Sequence, residues 1–125
     1  MGGGLAKSDD AGPEQVAGHA FIGQVVDGLD TKNLRGEVDA MKQRLGSGIA
    51  ALIATNDGRA SVAIGVTDDL VDAVSAVDLV KAAVAALGGQ GGGGRPDMAQ
   101  GGGPEGAKAD EALQAVRAVL ARVAA

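Results

Sequence analysis

Between Gly88 and Gly103 the chain reads G-G-Q-G-G-G-G-R-P-D-M-A-Q-G-G-G, with glycine at nine positions. No other stretch restricts the fold as much. Glycine reaches positive φ without steric cost and lets another backbone or a ligand approach closely, yet it adds no side chain to a core. Within the bare backbone stands one stiff, charged island, Arg95-Pro96-Asp97. Proline fixes its own φ and biases the preceding Arg95 toward extended geometry. Two readings compete: a disordered glycine linker, or an ordered loop that something approaches. Flexible linkers usually carry more serine and need no stiff island. A well-patterned helix follows the stretch, and a linker would leave it without a partner, so the ordered reading is favoured.

The 125 residues suffice for one domain with one modest core, and 46% of them are apolar, much of that alanine. Phe21 is the only aromatic residue, which excludes base stacking on aromatic platforms. Without cysteine there is neither a disulfide framework nor a thiolate metal site, as suits a reducing cytoplasm. A net charge of −5 argues against a sequence-independent, purely electrostatic nucleic-acid binder. No apolar run is long enough to span a bilayer, so no membrane partner is expected. Ala6 stands where a myristoylation signal needs Ser or Thr, and no basic-then-apolar signal segment opens the chain. Residues 1–18, with five glycines and a proline, read as a disordered leader or linker, as if cut from a longer chain.

From His19 the pattern changes. Ala20 to Val26 is rich in β-formers and predicts a strand, with Gly23 as a bulge and Asp27-Gly28 as its end. Asp30 or Thr31 then caps a helix whose apolar stripe is Leu34, Val38, Met41 and Leu45, with Arg35, Asp39 and Lys42 on the opposite face and Gly46 as its stop. Ile49–Ala54 is a strand buried on both faces. Asn56-Asp57-Gly58-Arg59 is a hairpin turn, and the return strand alternates Val62, Ile64, Val66 against Ser61, Ala63, Gly65. The small face would let a helix pack close. Residues 67–74 connect without a defined form. Ser75 and Asp78 form a capping box for a helix to Leu87, with Leu79, Val80, Ala83, Val84 and Leu87 inward. Pro104 and Glu105 sit where a last helix should start, and Leu113, Val116, Leu120 and Val123 are its stripe. The expected fold class is α/β: a single small domain with a mixed sheet, packed helices and a glycine-rich loop before the last helix. Its first strand, helix and second strand should make a right-handed parallel crossover.

Enzyme chemistry finds little support. Gly89-x-Gly91-x-x-Gly94 satisfies a dinucleotide fingerprint as a string, but it follows a helix, where a true fingerprint follows a strand and opens a helix. No G-K-[ST] is present. His19 is the sole histidine, and an isolated one at a strand start reads as structural or surface. Asp68, Asp69 and Asp72 could meet a divalent ion but lack an EF-hand's spacing, so they read as a solvated acidic turn. Arg35, Lys42, Arg59, Lys81, Arg95 and Lys108 are scattered, and only the fold could gather them on one face.

Gly91 to Gly103, G-G-G-G-R-P-D-M-A-Q-G-G-G, resembles the C-terminal signature of bacterial alanyl-tRNA synthetase. Ser75-Ala76-Val77-Asp78-Leu79-Val80-Lys81, Leu87-Gly88-Gly89, Asp27-Gly28, Leu34-Arg35 and Leu45-Gly46-Ser47-Gly48 are similar to the same family, so the resemblance covers residues 19–124. A distant relative of this domain ends the DHH-family phosphoesterases, which usually carry histidine before the proline; Arg95 here favours the synthetase. The resemblance implies a C-terminal tRNA-binding domain that docks on the tRNA elbow and supports aminoacylation and editing by the parent enzyme, an alanine–tRNA ligase. The fragment itself would hold no catalytic residue, no metal and no cofactor. Its partners would be tRNA, the aminoacylation and editing domains, and a second copy of the chain. Rival functions are an oligomerisation module, or the nucleic-acid-binding tail of a phosphoesterase, which would need a separate catalytic domain.

An elbow is convex, with much phosphate and few base edges. A loop that docks on it needs close backbone approach, free N–H donors and a positioned cation. Gly91, Gly92, Gly93 and Gly94 could supply the first two, Arg95 the third, and Lys81 a further charge. Pro96, Asp97 and Met98 would anchor the loop, Asp97 through its carboxylate on backbone N–H groups.

Overall fold

The computed structural model describes residues 14–16, 18–89 and 92–123. Among these described residues, six strands make one mixed sheet: β1 (Glu14–Val16), β2 (His19–Asp27), β3 (Ile49–Asn56), β4 (Arg59–Val66), β5 (Gly93–Arg95) and β6 (Met98–Gly103). Their spatial order is β1-β2-β3-β4-β6-β5. β2 and β3 run parallel, with Phe21 opposite Ile49, and the helix α1 (Leu34–Leu45) lies between them in sequence; every other pair is antiparallel. Two further helices, α2 (Ala76–Ala86) and α3 (Ala109–Val123), complete the α/β architecture read from the sequence.

Strand alternation divides the core into two layers. On one face of the sheet, Leu34, Val38 and Met41 of α1 pack on Ala50, Leu52, Ala54 and Ala63. On the other, Ile49, Ile53, Val62, Ile64 and Val66 meet Leu79, Val80 and Val84 of α2 and Leu113, Val116 and Leu120 of α3. Every residue from Ile49 to Ala54 is buried, because β3 is central and covered on both sides. Each such fully buried Leu, Ile or Val contributes about 1.5–3 kcal/mol relative to exposure. Gly65 keeps the α1 face low: a Cβ there would lie 2.7 Å from Val38 Cγ1. The β3–β4 turn places Asp57 at φ 53 and Gly58 at φ 81, the twist a two-residue hairpin requires.

Several local expectations are corrected. The stretch assigned to a leader through residue 18 contains β1, because Glu14–Val16 pairs with Phe21–His19; residues 1–13 and 17 lie outside the described residues. Gly23 is no bulge, since the β2–β3 register runs unbroken from Phe21 to Asp27; it leaves room instead for the Phe21 ring and Leu113. α1 starts later than expected. Asp30 Oδ1 accepts from Lys32 N–H at 3.0 Å in a 3₁₀ turn at Thr31–Asn33, and Asn33 precedes the helix without a side-chain cap. Lys42 is not on the solvent face: it is half-buried, its stem crossing the sheet at Gly65. Ser75 Oγ does cap α2, accepting from Val77 N–H at 3.2 Å. Pro104 and Glu105 precede a 3₁₀ turn at Gly106–Lys108, so α3 begins at Ala109; Glu105 N–H instead donates to Leu87 O at 3.0 Å. The undefined connection after β4 holds a 3₁₀ turn at Asp68–Leu70.

The glycine stretch departs furthest from the form its sequence suggests. From Gly93 onward it is a β-hairpin belonging to the sheet, not a loop. β6 pairs with β4 from Gly65↔Met98 to Ala60↔Gly103. Its glycines are what allow α2 to lie on it: a Cβ at Gly101 would stand 2.5 Å from Val84 Cγ2 and 3.1 Å from Val80 Cγ1.

Candidate nucleic-acid interface

The hairpin is fastened at its turn and open along its edge. Ala76 N–H, at the start of α2, donates to Pro96 O at 2.8 Å. Val66 N–H donates to Asp97 O at 3.0 Å, and Lys42 Nζ donates to the same carbonyl at 3.3 Å. Three donors from three elements thus hold two consecutive carbonyls. Next to them Met98 packs toward the α1 layer and Ala99, 1% exposed, toward the α2 layer, as successive residues of a strand must. At Asp97 the contact with the fold is made by the main-chain oxygen and not by the carboxylate. That carboxylate lies 3.6 Å from Arg95 Nε. With the Arg95 side chain 73% exposed, such a pair contributes about 0–1 kcal/mol, so its effect is to aim the guanidinium more than to stabilise the fold.

β5 is the last strand of the sheet, and Gly93, Gly94 and Arg95 are all exposed. An edge strand presents unpaired N–H and C=O groups along its outer side. Here no side chain of the strand screens them before Arg95. Gly94 sits at φ 148, where a Cβ would also meet Met98 O at 2.5 Å, so the bare backbone is required by the hairpin itself. Gly92 backs against Val80 and Val84, whereas a Cβ at Gly93 would have nothing within 4 Å. Gly91 lies outside the described residues. Phe21, the sole aromatic, is fully buried with Arg117 Cζ 5.6 Å from its ring centroid, and offers no platform to a base.

Lys81 is exposed on α2, on the opposite side of the sheet from α1. Of the scattered basic residues in the sequence, Arg35 and Lys42 lie next to Arg95, joined by Lys32, which no sequence signal marked. Lys32, Arg35 and Lys42 line a groove with Arg95 between α1 and the hairpin turn. They are distant from Arg95 in sequence, and only the β4–β6 pairing brings them together. Among the acids, Asp69 is bound up in the fold: Ser47 Oγ and Thr67 Oγ1 donate to its two oxygens at 2.5 Å each, and Thr67 Oγ1 also accepts from Gly48 N–H at 3.0 Å. The Ser47 hydroxyl first, then that of Thr67, hold the Asp69 carboxyl below its ordinary value. Among the described residues no group of three or more His, Asp or Glu side chains is placed to hold a metal ion. No helix among them is long and apolar enough to cross a membrane.

A family model, the DHHA1 domain, matches residues 18–122. The chain belongs to the DHHA1 domain family. This DHHA1 domain is 70% identical to the alanine–tRNA ligase of Rhizorhabdus wittichii over 98% of its own length, and 69% identical to that of Sphingopyxis alaskensis over 89%. It spans only 14% and 13% of those two ligases. Its fold matches the C-Ala domain from Aquifex aeolicus alanyl-tRNA synthetase with a TM-score of 0.81 and 28% identity, covering 87% of this chain and 97% of that one. Part of the DHH domain of a member of the s1p family of ribosomal proteins has a similar fold, with a TM-score of 0.58 at 18% identity, covering 97% of this chain and 30% of that one.

Proposed function

We propose that this DHHA1 domain is the C-terminal tRNA-binding module of an alanyl-tRNA synthetase, docking on the tRNA elbow so that the parent's aminoacylation and editing centres use one bound tRNA. The observation that carries the reading is the 70% identity to an alanine–tRNA ligase across nearly the whole chain. The hairpin geometry supports it. Gly93 and Gly94 give a rigid convex RNA surface close access to backbone donors, and Arg95 offers a planar fork suited to phosphate. Gly92 supports this edge from behind, and Gly91 extends the run of bare residues in sequence. Lys81 would meet RNA backbone on the α2 side of the hairpin. Recognition by shape and phosphate accords with an elbow common to nearly all tRNAs and with a chain whose one aromatic is buried. The isolated domain should bind weakly, its net charge being −5, and tethering in the parent raises its effective concentration. The setting is the cytoplasm, with the catalytic domains of the parent as neighbours.

Gel shift with transcribed alanine tRNA, alongside sedimentation of the free domain, tests this. The expected result is a retarded tRNA band at low salt. A domain that self-associates but retards no tRNA would make it an oligomerisation module instead.

A further inference from the structure

On the α1 side of the sheet, a groove of about 420 Å³ is lined by Lys32, Arg35, Lys42 and Arg95, with Asp39 and Asp97 among them. Four cations against two carboxylates reverse the balance of a chain whose net charge is −5. Both carboxylates are already engaged within the fold. Asp97 Oδ1 faces Arg95 Nε at 3.6 Å, and Asp39 Oδ2 accepts from Gln43 Nε2 at 3.3 Å. Lys42 spends one of its three donors on Asp97 O, which fixes its ammonium at the groove floor. Lys32 and Arg35, three residues apart and so on one side of the helix start, are exposed, and their side chains have no hydrogen-bond or ion-pair partner among the described residues.

We infer that this groove binds the backbone phosphates of RNA, as a second contact beside the edge of the hairpin. The inference rests on the proposed tRNA-binding function and names the surface that carries it. Met98 is the only residue larger than glycine in the lining that is apolar, so the groove lacks the hydrophobic walls of a small-molecule pocket. A concave surface with an excess of positive charge focuses field and gathers counter-charge even on a protein of opposite net charge. Arg35 and Arg95 bring planar forks that match phosphate oxygens, and Lys32 and Lys42 bring point charges. Through Arg95 the groove runs directly onto the bare backbone of Gly93 and Gly94. A rigid sugar–phosphate surface needs that clearance; a flexible acidic peptide, which can extend its own side chains, does not.

The test is a Lys32→Ala, Arg35→Ala double variant of the full chain, with fluorescence-anisotropy titrations of transcribed alanine tRNA at several salt concentrations. Both residues are exposed, so thermal melting should overlay the parent's and exclude misfolding. Affinity should fall roughly 10- to 100-fold. The slope of log K against log salt should shrink by about 1–2, one unit for each phosphate no longer neutralised. Lys108→Ala, an exposed site outside the groove paired with Glu105, should behave as the parent. Unchanged affinity and slope in the double variant would overturn the groove, while Arg95→Ala would still report on the hairpin. No tRNA binding by the parent would overturn the groove and the function together. Tighter binding of poly-glutamate than of tRNA, abolished in the double variant, would reassign the groove to an acidic protein segment.

Discussion

Replacing Gly101 by alanine tests the placement of α2 on the glycine strand. The backbone at Gly101 is not left-handed, so alanine meets no conformational barrier there. The obstacle is steric: its Cβ would lie 2.5 Å from Val84 Cγ2 and 3.1 Å from Val80 Cγ1. Neither neighbour can swing aside, because a β-branched side chain in a helix has one strongly preferred rotamer and both residues are buried. α2 must move outward or the strand inward, and such overpacking costs about 1–3 kcal/mol. The loss of glycine freedom in the unfolded chain returns about 0.4–1 kcal/mol. The net expectation is a destabilisation of roughly 0–2.6 kcal/mol. Gly93→Ala provides the comparison, since its Cβ meets nothing within 4 Å and its backbone is likewise not left-handed. That variant should be neutral or slightly stabilised, by up to about 1 kcal/mol. Urea titrations of both variants would measure the difference. If Gly101→Ala is as stable as Gly93→Ala, α2 does not lie on β6 and the hairpin is not part of the core.

Leu34→Ala or Leu113→Ala, from the two core layers, should destabilise by about 2–5 kcal/mol, while exposed Arg35→Ala should change stability by no more than roughly 0.5 kcal/mol; equal effects in denaturant titrations would refute the helical phases. Asp69 has a folded pKa depressed by the Ser47 and Thr67 hydroxyls, so its stabilising contribution is present above its ordinary value of 3.8 and is lost as pH falls through the lower folded value. Asp69→Asn should therefore lie below the parent in thermal melts at neutral pH, and the gap should close in that acid window. The chain alone should neither activate alanine nor hydrolyse mischarged alanine tRNA, because its one histidine and its lack of cysteine and of an ATP motif supply neither chemistry; pyrophosphate exchange and deacylation assays check this.

The helices and the central strands were legible because their side chains carry a period. Leu34, Val38 and Met41 face the sheet as their spacing demands, and Val62, Ile64 and Val66 separate from Ala63 as a strand's must. The glycine hairpin was not, since nine glycines in sixteen residues leave no alternation to read. Its strand character comes from the pairing of β6 with β4 and from the close approach of α2, neither of which is local. Lys42 was placed on the polar face by its helical phase; Gly65, on a different element, made a path for its stem. At Asp97 the group that meets the fold is a carbonyl oxygen, which every residue possesses and no sequence distinguishes. Arg95 stood out in the sequence, yet the cations it joins, Lys32 and Arg35, became its neighbours only through the fold.

Whether the exposed hairpin edge docks on tRNA is tested most directly by Arg95→Ala measured against alanine and non-alanine tRNAs. The variant should weaken binding by about 1.5–3 kcal/mol, the range for a hydrogen bond to a charged group. Its effect should be alike for both tRNAs, because the elbow is common to them. Gly93→Val, whose added side chain projects into open space, should weaken binding while melting like the parent. If both variants bind both tRNAs with the parent's affinity, the hairpin is a packing element and the docking surface lies elsewhere.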